Sequence, residues 1–371
     1  MEGGLPLSDM GVILKSGGGV GQKKLALSFL LVSVLFTGCS GDIPPVPVLI
    51  KASEKPYVSI QKTYRSEAYG KEANLSFPAA TRPVPTGKET AGKAVSSDDT
   101  DTDGITAKAA FLFNLTEGKV LYEKGCYDKI YPASTTKLLT AYFLLSYMKE
   151  HGIPLSDTYN ITADNCGITR VGAKLFEFKK GDVVSLELLL NALLVFSAND
   201  SAVAIIEFIA LREGASYEDT MQRMNGMAAG LGATHTEFTN PHGLHELGHK
   251  TTPYDLYLIF EACMEFEEFL PIVGKSSYTA SYTAADGTAQ EKLLEATNQY
   301  YLGLYTPPEG VMVLGGKTGS TGAAGDCFIT LSSYGGDTYL SAVFGAVSYK
   351  ELYRQMNLLL AMEKEVMDDN L

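Results

Sequence analysis

The sequence predicts an α+β fold, α/β in the broad sense. One five-stranded antiparallel sheet is assembled from the two ends of the ordered chain and flanked by helices, with an all-helical lobe inserted. Three observations carry this. Ala109-Ala-Phe-Leu-Phe113 and Lys119-Val-Leu-Tyr122 flank the turn-forming Asn114-Leu-Thr-Glu-Gly118, a hairpin pattern. Late in the chain, Val311 to Lys317, Cys327 to Ser333 and Tyr339 to Val347 read as strands, with Gly335-Gly-Asp337 turning the last two. Between them, Val184 to Phe196, Ser201 to Leu211, Tyr217 to Leu231 and Tyr254 to Phe266 carry apolar residues at helical spacing, and Lys350 to Val366 closes as a helix.

In chain order, residues 1–38 have the pattern of an export signal. Lys23-Lys24 precede a short apolar run from Leu25 to Phe36, and Thr37-Gly38-Cys39-Ser40 follows. A run this short is too brief for a membrane span, which needs about 20 apolar residues. Small residues before a cysteine resemble the lipobox of bacterial lipoproteins, so Cys39 is the expected lipidation site and an N-terminal lipid the expected membrane anchor. Phe36 stands where that motif usually has Leu. An ordinary cleaved signal and an uncleaved anchor are the alternatives, and all three put the rest of the chain outside the cytoplasm. Residues 39–103 lack sustained periodicity and are rich in Pro, Ser, Thr and acidic residues, as in Ser96-Ser-Asp-Asp-Thr-Asp-Thr-Asp103. They are expected to form a disordered tether, with an r.m.s. reach of roughly 45 Å as a flexible coil. Residues 104–371 are then expected to form the ordered domain.

The whole chain of 371 residues carries a net charge of −13 and no basic cluster, which argues against nucleic acid as a partner. Cysteines at 39, 126, 166, 263 and 327 show neither a C-x-x-C pair nor zinc-ligand spacing. The last four could be free or could pair in three ways, and mostly buried free thiols are expected, because the spacings suggest no compact disulfide framework.

Chemistry is concentrated in Tyr131-Pro-Ala-Ser-Thr-Thr-Lys-Leu-Leu-Thr140, at the start of a helical pattern that stops at His151-Gly152-Ile153-Pro154. Residues three apart share a helix face, so the Ser134 hydroxyl and the Lys137 amine can meet as nucleophile and base. Spacing alone proves little, because Ser59-Ile-Gln-Lys62 and Ser146-Tyr-Met-Lys149 share it. The company is what counts. Ser197-Ala-Asn199 lies at a helix junction and Lys317-Thr-Gly319 at a strand end, in that order behind Ser134.

With these motifs the chain resembles the penicillin-binding D-alanyl-D-alanine carboxypeptidases, the low-molecular-mass serine DD-peptidases. The resemblance spans roughly residues 105 to 365 and includes Thr116-Glu-Gly-Lys-Val-Leu-Tyr122, Asn240-Pro-His-Gly-Leu244 and Lys317-Thr-Gly-Ser-Thr-Gly-Ala-Ala-Gly325. It implies a β-lactamase/transpeptidase-like fold and an enzyme, active without a cofactor, that trims the terminal D-alanine from peptidoglycan stem peptides and is acylated by β-lactams. Ser134 would be the acylated nucleophile and Lys137 its base. Ser197 would relay a proton to the leaving amine, and Asn199 would hold Lys137 and the substrate amide. Lys317 and Thr318 would bind the terminal carboxylate, Gly319 would leave room for backbone approach, and the N–H groups of Ser134 and Ser320 would form the oxyanion hole. Ala198 stands where the family usually has Gly, and Pro253 where Ala is common. The chain also stops soon after the Lys350 helix, without the β-domain and amphipathic anchor of many members. A lipid on Cys39 would put the anchor at the other end.

Three other readings compete. His245-Glu-Leu-Gly-His249 has the letters of a zinc-peptidase helix, but Pro241, Gly243, Gly248 and Pro253 crowd it. Glu187-Leu-Leu-Leu-Asn191 has the letters of the deacylating segment of class A β-lactamases, yet it precedes Ser197 instead of following it. A non-catalytic wall-binding protein would be marked by loss of Ser134, Lys137 or Lys317, and all three are present. His151, His235 and His242 read as surface or loop residues, and Asp200 as a helix N-terminal acid. Arg354 either braces the sheet or approaches the site.

Overall fold

An unbroken apolar run such as Ala109-Ala-Phe-Leu-Phe113 needs cover on both faces, and the computed structural model, which describes residues 60–66, 71–77, 82–87 and 104–368, supplies it. Strand β3 (Ala109–Asn114) is buried at every position. It lies in a five-stranded antiparallel sheet of order β4-β3-β11-β10-β9, with β4 at Lys119–Lys124, β9 at Met312–Thr321, β10 at Gly325–Tyr334 and β11 at Asp337–Ala346. Phe111 pairs with Ala342, so the start of the domain is zipped to its end. On one face Phe111 and Phe113 stack at 4.3 Å and meet Tyr257 edge-on. On the other, Ala110 and Leu112 join Tyr353, Leu359 and Leu360 of the closing helix α7 (Tyr349–Asp368). The expected hairpin, late strands and closing helix are all present.

Helix α1 (Lys137–His151) runs between the sheet and the lobe and is apolar nearly all round, as a buried helix should be. It stops where Gly152 adopts φ 64° and its N–H returns to Met148 O, a left-handed cap that glycine takes without Cβ strain. The lobe contains α2 (Leu186–Asn191), α3 (Asn199–Glu213) and α4 (Tyr217–Gly230), while α5 (Pro253–Cys263) packs under the sheet and a short α6 (Phe269–Val273) follows. Ser185, Ser216 and Thr252 cap their helices, each side chain accepting an N–H three residues on. The helix expected over Val184 to Phe196 is shorter, ending in a π-helical turn at Ala192–Phe196.

Two expectations are corrected. The insertion is not all-helical: β5 (Thr158–Asn160), β6 (Val183–Ser185), β7 (Ser277–Thr283) and β8 (Ala289–Glu295) form a second, four-stranded sheet. Its main hairpin buries only Ala280 and Leu294, so its apolar signal is weak. The one strong cue was Asp286-Gly287 at the turn, with Gly287 at φ 85°. Second, the 39–103 segment is not structureless throughout. Within it, β1 (Ile60–Ser66) and β2 (Lys71–Phe77) pair as an antiparallel hairpin. Ala73, Leu75 and Phe77 alternate with polar residues, and Leu75 enters the main core at 1% exposure. Residues 82–87 are tied down as well: Thr86 N–H donates to the Glu123 carboxylate, Tyr127 Oη to Pro85 O, and Arg82 pairs with Glu261. These contacts join residues far apart in sequence, which composition does not register.

The export-signal stretch and Cys39 lie outside the described residues. Among the described residues, no helix is long and apolar enough to cross a membrane, and Cys126, Cys166, Cys263 and Cys327 are free and buried.

Candidate active site

Ser134 sits in a 3₁₀ turn, Ala133–Thr136, that leads into α1. Ala133 is held at φ 48°, a left-handed conformation costly for a residue with a Cβ. What holds it is a set of local bonds. Thr136 Oγ1 donates to Ala133 O at 2.8 Å, and Thr135 Oγ1 to Pro132 O at 2.7 Å. His249 braces the turn from outside: its Nδ1 accepts from Thr239 N–H at 3.1 Å, which leaves Nε2–H to donate to Thr136 Oγ1 at 2.7 Å. Burial lowers the His249 pKa to about 4, in keeping with that neutral tautomer.

Lys137 is fully buried one turn below Ser134. Its Nζ lies 2.9 Å from Ser134 Oγ, 2.7 Å from Asn199 Oδ1 and 2.7 Å from His242 O. A neutral amine has two N–H donors and one lone pair. Asn199 Oδ1 and the His242 carbonyl can only accept, so together they use both donors and turn the lone pair toward the Ser134 hydroxyl. Desolvation, and then the nearby Lys317 ammonium, hold the Lys137 pKa well below the usual lysine range.

Lys317, also fully buried, reaches from β9 to Ser197 Oγ at 2.9 Å and Thr318 O at 2.8 Å. Burial, with Lys174 second, lowers its pKa to about 7. Ser197 ends the π-helical turn at φ 69°, a second strained residue in the cluster. Asn199 opens α3, and the next residue, Asp200, is buried with its carboxylate accepting the N–H groups of Phe176, Glu177 and Ser201 at 2.8–3.1 Å. Its role is therefore to pin the 174–178 segment against the start of α3, beyond the helix-dipole role expected of it. Thr318 Oγ1 donates to Thr297 Oγ1 at 2.6 Å, and Ser320 is exposed further along β9. Gly319 lies against the Ser134 turn: a Cβ there would come within 2.7 Å of Ser134 N and 3.1 Å of Thr135 N.

The structure thus brings Ser134, Lys137, Ser197, Asn199, Lys317, Thr318 and Gly319 to one place, from a turn, two helix starts and an edge strand. Sequence reasoning missed the loop that completes it. Asn240 Oδ1 accepts from Gly243 N–H at 2.8 Å and His242 N–H at 3.3 Å, folding the chain so that His242 O meets Lys137. Gly243, at φ 86°, presses on Ala133, where an added Cβ would sit 1.8 Å from its carbonyl oxygen. The only signal was the Asn240-Pro-His-Gly-Leu244 string. His242, expected as a surface or loop residue, does lie in a loop but is buried there, with its pKa lowered to about 3 by desolvation and then by Lys137.

The competing motifs serve other purposes. Residues 245–249 are not helical, His245 meets the Tyr131 ring edge-on at 4.6 Å, and both His249 ring nitrogens are engaged as above. Glu187 is exposed on the first turn of α2, and Asn191 accepts from Lys275 Nζ at 2.9 Å. Arg354 donates to Gly104 O at 2.7 Å and pairs with Glu351, so it braces the entry to the domain.

The sequence profile of the D-alanyl-D-alanine carboxypeptidase family matches residues 94–348. D-alanyl-D-alanine carboxypeptidase DacF of Bacillus subtilis is 30% identical over 254 residues, 68% of this chain and 61% of the relative. DacC of Escherichia coli is 28% identical over 264 residues, 70% of this chain and 62% of the relative. The chain therefore spans less than two thirds of the length of these relatives. Among solved structures, penicillin-binding protein D2 of Listeria monocytogenes in its ampicillin-bound form is 25% identical, with TM-score 0.55, covering 69% of this chain and 97% of that one. The Streptomyces K15 DD-transpeptidase, at 23% identity and TM-score 0.60, covers 72% and 98% and shares the fold.

Proposed function

Since the chain belongs to the D-alanyl-D-alanine carboxypeptidase family, we propose that it is a serine peptidase that removes the terminal D-alanine from peptidoglycan stem peptides and is acylated by penicillins. The observation that carries this is the bonding of Lys137, whose two obligate acceptors leave its lone pair for Ser134 Oγ. Ser134 Oγ attacks the carbonyl between the two D-alanines as its proton passes to Lys137. The N–H groups of Ser134 and Ser320 stabilise the oxyanion. Ser197, bonded to Lys317, passes a proton to the leaving amine as the C–N bond breaks and recovers one from the Lys137 ammonium, which becomes the neutral amine again. Water then attacks the acyl-enzyme, with Lys137 as base, and frees both Ser134 and the shortened peptide. Lys317 and Thr318 bind the terminal carboxylate, and that anion favours the charged form of Lys317. The Streptomyces neighbour is called a transpeptidase; here water is the proposed acceptor, as in the family's name. The site works outside the cytoplasm, on a chain held at the outer face of the membrane by a lipid on Cys39.

The direct test is a fluorescent penicillin. Wild type is expected to carry a covalent label that survives denaturation, and Ser134→Ala to carry none. An unlabelled wild type, or a labelled Ser134→Ala, would remove the mechanism. Gly319→Ala tests the oxyanion geometry. The added methyl pushes β9 away from the Ser134 N–H, and acylation should slow by about 10²-fold or more with the far-ultraviolet spectrum unchanged. Normal acylation in that variant would exclude Ser134 N–H as an oxyanion donor.

A further inference from the structure

Two of the lysines at this site have roles above; Lys174 is a third that does not. Its backbone carbonyl accepts Asn199 N–H at 2.8 Å, which places it beside the Ser197–Asn199 junction. The residues that follow it are pinned by Asp200. Its Nζ lies 4.1 Å from the ring centroid of Phe196, the residue immediately before Ser197. It is near enough to lower the pKa values of both Lys137 and Lys317. Glu295 at the end of β8 is the carboxylate that acts on it, yet among the described residues no hydrogen bond or ion pair engages the Lys174 ammonium. The residue is exposed, with an aromatic face on one side of its charge and open donors on the other. A second cation beside the Lys317 ammonium is unfavourable in the empty protein, and a bound anion relieves it.

We propose that Lys174 binds a second substrate carboxylate, located on the acyl-donor side of the scissile bond, and makes the enzyme selective for dianionic peptides. This rests on the carboxypeptidase reading. The placement follows from the leaving group: a terminal alanine has one carboxylate, assigned to Lys317 and Thr318, and a methyl side chain. Any other anion must precede the cleaved bond.

The test compares acetyl-L-Glu-D-Ala-D-Ala with its L-Gln counterpart, a pair alike in shape and different by one charge. For wild type at low salt the Glu peptide is expected to have the higher kcat/KM, by about five- to tenfold, shrinking in 0.5 M salt. In Lys174→Met the ratio should fall toward one, and Lys174→Arg should restore most of it. A wild-type ratio near one, or a ratio that persists in Lys174→Met, overturns the proposal. So does an equal loss on both peptides with a shifted pH profile, which would make Lys174 only a tuner of the other lysines. Penicillin labelling of the same wild-type sample separates the failures. A labelled enzyme with a ratio of one removes this proposal alone, and an unlabelled one removes the underlying reading as well.

Discussion

Replacing Lys137 with methionine is expected to slow acylation of Ser134 by about 10³- to 10⁴-fold, the range for a lost general base. Methionine fills a similar volume and buries without a charge, so the thermal midpoint should hold or rise while activity collapses. The pH dependence of kcat/KM carries the sign of the same argument. Lys137 acts as the neutral amine, and burial with Lys317 beside it holds its pKa well below the usual lysine range. The rising limb must then lie well on the acid side of an ordinary lysine titration. Lys317 acts as the cation, and its pKa in the free protein is lowered to about 7. Activity should therefore fall as pH climbs past that region and Lys317 loses its proton, with apparent values that belong to the coupled pair. A rate that instead climbs steadily from pH 8 to 10, as for an exposed lysine base, would contradict this assignment of charges.

Glu363→Gln is expected to have the largest effect on stability, far from the catalytic cluster. Glu363 is fully buried on α7, where Ser332 Oγ donates to its Oε1 at 2.6 Å and its Oε2 has no partner among the described residues. Burial raises its pKa from 4.5 to about 8. For an acid whose pKa is raised by folding, the folded chain keeps a proton that the unfolded chain releases. Its contribution is thus intact below pH 4.5 and declines as pH rises toward 8, where the loss amounts to about 4 kcal/mol. Glutamine keeps the shape and does not titrate. Urea denaturation at pH 5 and pH 8.5 should show wild type weakening with pH and the variant nearly flat, so that the variant is the more stable of the two at pH 8.5. Equal slopes for the two proteins would mean that Glu363 is ionised in the folded state.

Legibility in the sequence followed the range of the interactions. The β3–β4 hairpin, α1 with its Gly152 cap, and the last three strands rest on periodicity and turn chemistry within a few residues, and all were readable. The β1–β2 hairpin was not, although Ala73, Leu75 and Phe77 alternate, because prolines and charges around them dominate the composition. In the site, Ser134, Lys137, Ser197, Asn199 and Lys317 were readable as ordered motifs. The His242 carbonyl was invisible, because any residue has a carbonyl and only the fold aims one at Lys137. Lys174 was equally silent as one lysine among many, until Asn199 and Phe196 located it.

From the sequence alone came the proposed nucleophile, its partner lysine, the two supporting motifs and the helix and strand periods that carry them. These are properties of side-chain chemistry and local spacing, and they need no neighbours distant in the chain. Tertiary structure alone decided the protonation chemistry. Whether Lys137 is a base depends on its burial, on two acceptors 62 and 105 residues away in the chain and on a second lysine across the cluster. The physical reason is that a pKa measures the cost of charging an atom in its surroundings, and folding creates those surroundings.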